Sequence, residues 1–445
     1  MTHLSLVTSK QKFALQTISV LITRSFMLLS GVLVSIVLAR MLGPEGFGIY
    51  AAIFAIVNII LSFADLGIRQ AVTYTMGQKL YDDQSVISSM LLVLILSSCM
   101  GIVITLVVFT TGPTINYGWG VIIPAIVSIP LLLTTAYTRG VSLAKGQIGQ
   151  FNKADLSQRV IFLVALVIFL VALKWGTIGA TAAYFLGALA AAIYSIWILS
   201  RAAKLRLRYI PPIPRQLISL GFIYALALFI LNLNYRVDIV LLERLTNTSQ
   251  VGLYAAGVRL AELVWQLPAA LGVVLFSRSA QSINEDDAVA RTTRVLRITL
   301  PFIVGGSLVL FVIAPWVLSI FGEAFVDATD ATRYLLPGVA AAVIFKVLYS
   351  DLAGRGRPLY AVWVFGTVAL LNILLNLFLI PTLGINGAAI ASSISYIMGA
   401  ITFAVLYSRL QKLSFRNTMI LNNADISYIF DLMKGKKEPD SHSKM

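Results

Sequence analysis

Two stretches of the chain repeat one another: LARMLGPEGFGIYAA at residues 38–52 and LERLTNTSQVGLYAA at residues 242–256. Each copy ends one long apolar segment, makes a short polar turn and begins another apolar segment. An internal repeat in an apolar chain predicts two related helical bundles that face each other. At an offset of 204 without a gap, the copies share Leu38/Leu242, Arg40/Arg244, Gly48/Gly252, Tyr50/Tyr254, Ala51/Ala255 and Ala52/Ala256.

Two more pairs of segments extend the repeat. WGTIGATAAY at 175–184 resembles LGINGAAIAS at 383–392, and AKGQ at 144–147 follows the fourth apolar span as GRGR at 354–357 follows the tenth. Small residues also serve close helix packing in lipid, which alone would explain any single match. Three matches in the same order, at offsets of 204, 210 and 208, favour a repeat with two halves of parallel topology.

The composition indicates a membrane protein. Of the 445 residues, 58% are hydrophobic and 12% are charged. Soluble domains carry about 25% charged residues, so this chain has too few to cover a surface in water. Apolar runs of about 20 residues recur, and each is long enough to cross a hydrocarbon core of about 30 Å. The strands of a β-barrel alternate over about 10 residues instead. We therefore predict an all-α integral membrane protein.

The apolar runs predict about twelve transmembrane helices in two six-helix halves around a central cavity. No loop between them is long enough for a soluble catalytic domain. The halves are expected at 1–200 and 217–408, joined by a basic linker at 201–216 and followed by a basic tail at 409–445. The predicted spans are 13–38, 48–64, 86–109, 119–138, 157–173, 178–200, 217–241, 251–277, 298–321, 333–350, 359–380 and 384–408.

Basic residues are distributed unevenly about these spans. Twenty-six lie in segments on the side of the N-terminus, among them Arg159, and four lie on the other side. Because cytoplasmic loops are enriched in Lys and Arg, we expect a multi-pass plasma (inner) membrane protein with both termini cytoplasmic. Attraction to anionic membrane lipids then explains the formal net charge of +15, and nucleic-acid binding is not expected.

The residue types that metal and catalytic sites need are scarce. The single cysteine, Cys99, lies in an apolar run, and the two histidines, His3 and His442, lie near the ends of the chain. The sequence has no phosphate-binding loop, HExxH or GxSxG motif. We expect no cofactor, no metal site and no enzymatic activity. Transport would then depend on an ion gradient, the membrane potential or consumption of the product.

Four basic residues lie more than two residues from either end of a predicted span: Arg24, Arg236, Arg259 and Lys346. A charge at the bilayer centre costs roughly 2.5–3.5 kcal/mol on insertion scales, so such residues usually face a protein interior or a wet cavity. We interpret all four as candidates for binding an anionic substrate. Arg24, near the middle of span one, is the strongest, and a bond to backbone carbonyls is its alternative role. Lys346 lies near a span end and can also extend to the interface.

Two acidic residues accompany these cations. Glu262 lies one turn after Arg259, either in a structural ion pair or on a strip that faces the cavity, with Glu262 as a coupling group. Arg236 and Asp238 lie on nearly opposite faces of span seven, so a straight helix cannot present both to one cavity. Asp238 is expected to be structural, with ion coupling as the alternative.

Two features near span two have simple structural explanations. Asp65 and Arg69 have i,i+4 spacing, which predicts an ion pair with a structural or gating role. The glycines and the proline of LGPEGFG at 42–48 are explained by a tight turn. Tyr50 and Tyr254 are expected at the outer membrane–water interface, where tyrosine is common.

The stretch RMLGPEGFGIYAAIFAIVNIILSFADLGIRQAV at 40–72 resembles the polysaccharide-type flippases of the multidrug/oligosaccharidyl-lipid/polysaccharide exporter superfamily. The resemblance continues through 236–238, 252–254 and 384–391 and covers nearly the whole chain in order. It implies a transporter that moves oligosaccharide repeat units on an isoprenoid pyrophosphate of the undecaprenyl type. Movement would run from the inner to the outer leaflet, for biosynthesis of O-antigen, capsule or exopolysaccharide. Polysaccharide polymerase and glycosyltransferases are the partners it implies.

Other functions remain open at this point. A drug/cation antiporter of the same superfamily would be expected to use acidic cavity residues, whereas here the buried cations outnumber Asp238 and Glu262. The peptidoglycan-precursor branch is disfavoured, because more than twelve spans are expected there. A membrane-embedded glycosyltransferase or polymerase would need a large outer loop, and a scaffold without transport is the last alternative. We expect alternating access without ATP.

Overall fold

A computed structural model describes the backbone of residues 2–280, 282, 284–357, 359–422, 425 and 427. Side chains are described from Leu29 onward, except at 148, 267, 269, 270, 273, 274, 277 and 280. The side chain of Arg24 and most of the predicted tail after 422 therefore lie outside the described part. Within the described part the regular structure is helical, and no strand occurs.

The described α-helices follow one another with short connections. Short 3₁₀ turns occur at Pro113–Tyr117, Leu263–Trp265 and Glu323–Ala328, and a π-helical segment at Val167–Ala172. The α-helices are α1 Thr2–Ala64, α2 Ile68–Gly77, α3 Asp83–Thr111, α4 Trp119–Ala144, α5 Ile148–Leu166, α6 Gly176–Ala202, α7 Ile213–Leu245, α8 Thr248–Glu262, α9 Gln266–Ala280, α10 Glu285–Phe321, α11 Thr329–Gly354, α12 Leu359–Leu410 and α13 Phe415–Met419.

The predicted membrane fold is confirmed. Nine described segments are long and apolar enough to cross a membrane. Two of them, which contain the second part of α1 and all of α12, each include two predicted spans or parts of them. Predicted span eight is divided into α8 and α9 by the 3₁₀ turn at Leu263–Trp265, so neither piece is long enough alone. The twelve predicted spans thus all correspond to helical segments.

The connections inside α1 and α12 are kinks in otherwise continuous helices. Gly43 has φ +66° and ψ −177°, and Gly384 has φ +56° and ψ −131°. A side chain disfavours positive φ, so glycine suits both positions. Pro44 follows the first kink, and its missing N–H is tolerated at the start of a helical segment. The sequence LGPEGFG is therefore a helix kink that sends the chain back across the membrane.

The repeat extends to the backbone conformation. Gly146 and Gly356, which the repeat aligns after the fourth span of each half, have φ values of +67° and +75°. Gly176 and Gly384, which open the last spans, have φ values of +59° and +56°. Close packing of small residues would not require matching positive φ values. The two groups of helices, α1–α6 and α7–α12, are therefore structural repeats.

The two repeated stretches pack directly against each other. Helix α1 contacts α7 and α8, which joins the two groups of helices. Gly48 of α1 and Gly252 of α8 lie where the backbones meet. A Cβ atom on Gly48 would stand 1.8 Å from the carbonyl oxygen of Thr248, and one on Gly252 would stand 1.9 Å from that of Pro44. At this point the two groups of helices are in backbone contact.

Candidate functional site

A cavity of about 280 Å³ lies between the two groups of helices, with walls from α1, α5, α6, α7 and α8. Its charged lining residues are Asp155 and Arg159 of α5, Arg236 of α7 and Arg259 of α8. The carboxylate of Asp155 forms an ion pair with Arg139, so it does not neutralise the three arginines. Arginines from both groups of helices therefore face one space, which gives that space a positive charge.

Arg159 is the residue that sequence reasoning missed. It was counted among the cytoplasmic cations because the apolar run begins near it, but α5 begins earlier, at Ile148. Asp155, Gln158, Arg159 and Phe162 have the i, i+3, i+4, i+7 spacing of one helix face, and all four line the cavity. That spacing was the available signal. Among the described residues, Arg159 has no ion-pair partner within 4.0 Å.

The other two arginines share one carboxylate. Arg236 Nη2 lies 3.1 Å from Glu262 Oε1, and Arg259 Nη1 lies 3.6 Å from Glu262 Oε2. Glu262 thus ties α7 to α8, and the three residues together keep one positive charge. The side chain of Arg259 remains 54% exposed, so part of its guanidinium is open to the cavity. The predicted i,i+3 pair of Arg259 and Glu262 is present, with Arg236 as a second partner.

The cavity wall next to the arginines is aromatic. The ring of Phe54 has its centroid 4.6 Å from that of Tyr50 and 4.1 Å from that of Tyr184. All three side chains line the cavity. The expectation that Tyr50 and Tyr254 lie at the membrane interface is wrong, because α1 and α8 turn these faces toward the protein interior and both side chains are buried.

Lys346 lies outside the cavity lining. Its Nζ atom is 3.9 Å from the ring centroid of Trp265 and 4.7 Å from that of Tyr235. Such cation–π contacts stabilise an ammonium group away from bulk water. Trp265 is itself fixed, since its indole N–H donates to the carbonyl oxygen of Val339 at 2.8 Å. The side chain therefore fills an aromatic cage next to the arginine cluster.

Asp238 belongs to a second polar cluster, between α7, α8 and α12. Its Oδ2 accepts hydrogen bonds from the hydroxyls of Tyr254 at 2.5 Å and Ser392 at 3.2 Å. Within the described part, the side chain of Asn234 and the Oδ1 atom of Asn376 are buried without hydrogen-bond partners. Arg236 faces the cavity and Asp238 faces away from it, as the opposite faces of span seven predicted.

The comparison with known families adds to this geometry. A family profile described as "Polysaccharide biosynthesis protein" matches residues 11–283, more than half of the chain. The chain belongs to the polysaccharide biosynthesis protein family. No curated protein matches its sequence.

Solved structures with the same fold as this polysaccharide biosynthesis family member include transporters and a flippase. The structure titled "Lipid II flippase MurJ, inward closed conformation" superposes with a TM-score of 0.73 at 14% identity, covering 96% of this chain and 94% of that one. An inward-facing multidrug resistance MATE family transporter of the MOP superfamily gives 0.70 at 16% identity, with 88% and 99% covered. A MOP superfamily transporter from Pyrococcus furiosus, whose structure is described by the reverse polarity of its binding pocket, superposes with a TM-score of 0.64 at 16% identity. The match covers 87% of this chain and 93% of that one.

The predicted ion pair of Asp65 and Arg69 does not form in this family member. Helix α1 ends at Ala64 and α2 begins at Ile68, so the i,i+4 spacing is not helical. Leu66 and Gly67 between them have positive φ values of +49° and +63°. No oxygen of Asp65 lies within 4.0 Å of the Arg69 guanidinium, and Asp65 Oδ1 is buried without a partner in the described part.

Arg24 stays a prediction, since its side chain lies outside the described residues. Gly31, seven residues further along α1, lines the cavity. Positions seven apart share a face of an α-helix, and this spacing is the ground on which Arg24 is predicted to face the cavity.

Proposed function

We propose that this member of the polysaccharide biosynthesis protein family is a flippase for oligosaccharide repeat units linked to an isoprenoid pyrophosphate. The observation that carries the proposal is the cavity with Arg159 from one repeat and Arg236 and Arg259 from the other. The substrate would move by alternating access, and the chain would not act as an enzyme. The lipid tail would stay in the bilayer.

The arginines suit a pyrophosphate. That group carries about two negative charges, and opposite charges at low dielectric offset the cost of placing it inside a membrane. The planar guanidinium donates paired hydrogen bonds to phosphate oxygens, which makes arginine a common phosphate ligand. Arg159 has no carboxylate partner in the described part, and Arg236 and Arg259 share only Glu262. The cavity therefore has positive charge left for a ligand.

The aromatic wall supports a carbohydrate on the same ligand. Tyr50, Phe54 and Tyr184 give flat apolar faces with two hydroxyls beside the arginines. The faces of sugar rings carry C–H groups that pack on aromatic rings, and their edges carry hydroxyls that hydrogen-bond. Ligand sites commonly combine such apolar walls with a few polar groups. We assign the pyrophosphate to the arginines and the sugars to this wall.

The same geometry disfavours the drug/cation antiporter. A cationic drug would meet three arginines, and the acidic residues near them are engaged, Asp155 by Arg139 and Glu262 by Arg236 and Arg259. We propose Arg24 as a further substrate contact from the cavity face of α1. Lys346 would add positive potential from its aromatic cage without touching the substrate.

From the distribution of basic residues, we further propose that the protein lies in the inner membrane. The linker 201–216 and both termini would then be on the cytoplasmic side. Glycosyltransferases would then supply the substrate on that side, and a polymerase would consume it on the other. A reporter fused after Arg208 should report the cytoplasm, and a periplasmic signal there would overturn this orientation.

Flipping in proteoliposomes tests the function. A fluorescent oligosaccharide on a short isoprenoid pyrophosphate is placed in the vesicles, and its exposure to a membrane-impermeant quencher is followed. Arg159→Gln removes one charge-assisted contact, typically worth 1.5–3 kcal/mol, so flipping should slow by about tenfold or more. Because Arg159 has no ion-pair partner in the described part, its loss should leave the thermal unfolding temperature nearly unchanged.

The matched control is Arg208→Gln, which removes an exposed linker arginine and should leave flipping as in the wild type. An Arg159→Gln variant that flips at the wild-type rate would contradict the assignment of the site. A wild-type protein that exports a cationic dye but leaves the lipid-linked oligosaccharide in place would support the antiporter instead.

Of the two candidate coupling groups, we propose Asp238 rather than Glu262. Glu262 is paired with two arginines. Asp238 instead lies one helical turn from Asn234, whose side-chain amide has no hydrogen-bond partner in the described part. Through Ser392 and Asn372 it is also linked to Asn376, whose Oδ1 atom has no partner there. A buried carboxylate near free acceptor oxygens can take up a proton or a monovalent cation. Since this cluster lies on the far side of α7 from the cavity, ion binding there would bias the helix rather than contact the substrate.

Imposed gradients of H⁺ or Na⁺ test the coupling. If one of them accelerates wild-type flipping, Asp238→Asn should remove that acceleration, because it removes the titratable, negatively charged oxygen and keeps the side-chain shape. Flipping without a gradient should persist in the variant. An Asp238→Asn protein that still responds fully to the gradient would exclude this carboxylate as the coupling group.

A further inference from the structure

The two groups of helices meet in backbone contact at two levels, one on each side of the cavity. The first level is the contact of Gly48 with Gly252, where an added Cβ atom would come within 2 Å of a carbonyl oxygen on the other group. Neither glycine has a positive φ, so neither is required by its own backbone conformation. These glycines permit the close approach of α1 and α8. We call this level the junction end.

The second level is the contact of Gly67 with Gly221. A Cβ atom on Gly67 would lie 2.1 Å from the carbonyl oxygen of Gly221, and one on Gly221 would lie 2.2 Å from that of Leu66. The segment of α1 from Gly48 to Ala64 separates the two levels, and at 1.5 Å per residue it is about 24 Å long. The second level is therefore one membrane crossing away, near the linker 201–216. We call it the linker end.

Polar contacts between the groups reinforce the junction end. Arg40 Nε donates to the carbonyl oxygen of Ile320 at 2.7 Å. Glu243 Oε1 accepts from the hydroxyls of Thr114 at 2.9 Å and Tyr117 at 3.0 Å. Arg40 belongs to α1 of the first group, and Glu243 belongs to α7 of the second. Each group therefore contributes a charged side chain that hydrogen-bonds to the other group. All these bonds break if the helix groups separate at this end.

The linker end has one side-chain hydrogen bond between the two groups of helices and two to the linker. The hydroxyl of Tyr81 donates to Gln216 Oε1 at 2.7 Å. The side-chain amide of Gln84 binds the backbone of Lys204 twice, donating to its carbonyl oxygen at 2.6 Å and accepting from its N–H at 2.9 Å. These contacts attach the linker and the start of α7 to the first group of helices.

We propose that the two glycine contacts are the gates of the cavity, Gly48–Gly252 at the junction end and Gly67–Gly221 at the linker end. The cavity opens to one side of the membrane only when the pair at that end separates. The proposal rests on the proposed alternating access and assigns the residues that decide which side is open.

The absence of side chains is what makes such a gate both tight and reversible. Backbones in direct contact leave no room for water between the groups. At the glycine positions themselves no side chain has to withdraw, so separating the backbones there costs few dispersion contacts. The aromatic contacts between the groups lie beside the glycines, with ring centroids 5.9 Å apart for Phe47 and Phe325 and 5.4 Å apart for Phe63 and Phe229. A single methyl group at either contact, by contrast, would hold the backbones apart. Each gate can therefore be opened selectively by a glycine-to-alanine substitution.

Distances between spin labels test the gates in the full-length protein reconstituted in nanodiscs. Cys99→Ser removes the native cysteine. Labels at Lys174→Cys and Asp330→Cys report the junction end, and labels at Gln78→Cys and Asp287→Cys report the linker end. All four positions are exposed. No substrate is added, so the readout does not depend on what the protein transports.

Gly252→Ala should raise the population with a long junction-end distance by about fivefold or more, since overpacking a close contact typically costs 1–3 kcal/mol. The linker-end distance should stay short. Gly221→Ala should instead raise the population with a long linker-end distance and leave the junction-end distance short. The control is Gly366→Ala, a glycine inside α12 whose Cβ would meet nothing within 4 Å, and it should change neither distance.

A second variant covers the case in which Gly252→Ala fails to fold. Arg40→Gln adds no atoms to the contact and removes a charged donor to Ile320, so it should also lengthen only the junction-end distance. A wild-type junction-end distance in both Gly252→Ala and Arg40→Gln would overturn the junction gate. A wild-type linker-end distance in Gly221→Ala would overturn the linker gate. If each variant opens only its own end but the protein does not flip lipid-linked oligosaccharide, the proposed substrate is refuted and the assignment of the gates still holds.

Discussion

A positive charge inside a membrane needs either a partner or water, and this requirement governs the arrangement of the molecule. Arg236 and Arg259 meet it by sharing Glu262, and Arg159 meets it by facing the cavity. Around the arginines, such a cavity must be lined by helices that keep the charges away from the lipid. The two groups of helices provide this lining together, because α5 and α6 close one side and α7 and α8 the other.

The two repeats share their framework and differ in their lining. Positive-φ glycines recur at matching places, and Gly48 and Gly252 meet across the pseudo-symmetric contact. Ala55 and Arg259, which align at the offset of 204, both line the cavity, yet one is neutral and the other charged. A symmetric framework favours two equivalent ways of closing the cavity. An asymmetric lining gives the cavity a chemistry that neither repeat has alone.

Local features of the fold could be predicted from the sequence. The spans follow from runs of apolar residues, and the kinks at Gly43 and Gly384 follow from glycine in short polar turns. The repeat could be recognised in the sequence, because the backbone needs glycine at matching positions in the two halves. The opposite orientations of Arg236 and Asp238 followed from helix periodicity alone.

Features that depend on neighbouring helices could not be predicted in this way. The sequence predicts Arg159 in a cytoplasmic segment, because the apolar run begins near it. Helix α5 begins upstream of that run, at Ile148, and residues from its middle line the cavity. Asp65 and Arg69 were paired on the assumption of a continuous helix, which the turn at Leu66 interrupts.

The most direct measurement of the central claim is an electron cryo-microscopy structure of the protein with a bound isoprenoid pyrophosphate. The account predicts density for the two phosphates between α5 and α8, with oxygens about 2.7–3.2 Å from the guanidinium groups of Arg159 and Arg259. Phosphate density outside the cavity, with both guanidinium groups free of it, would contradict the account.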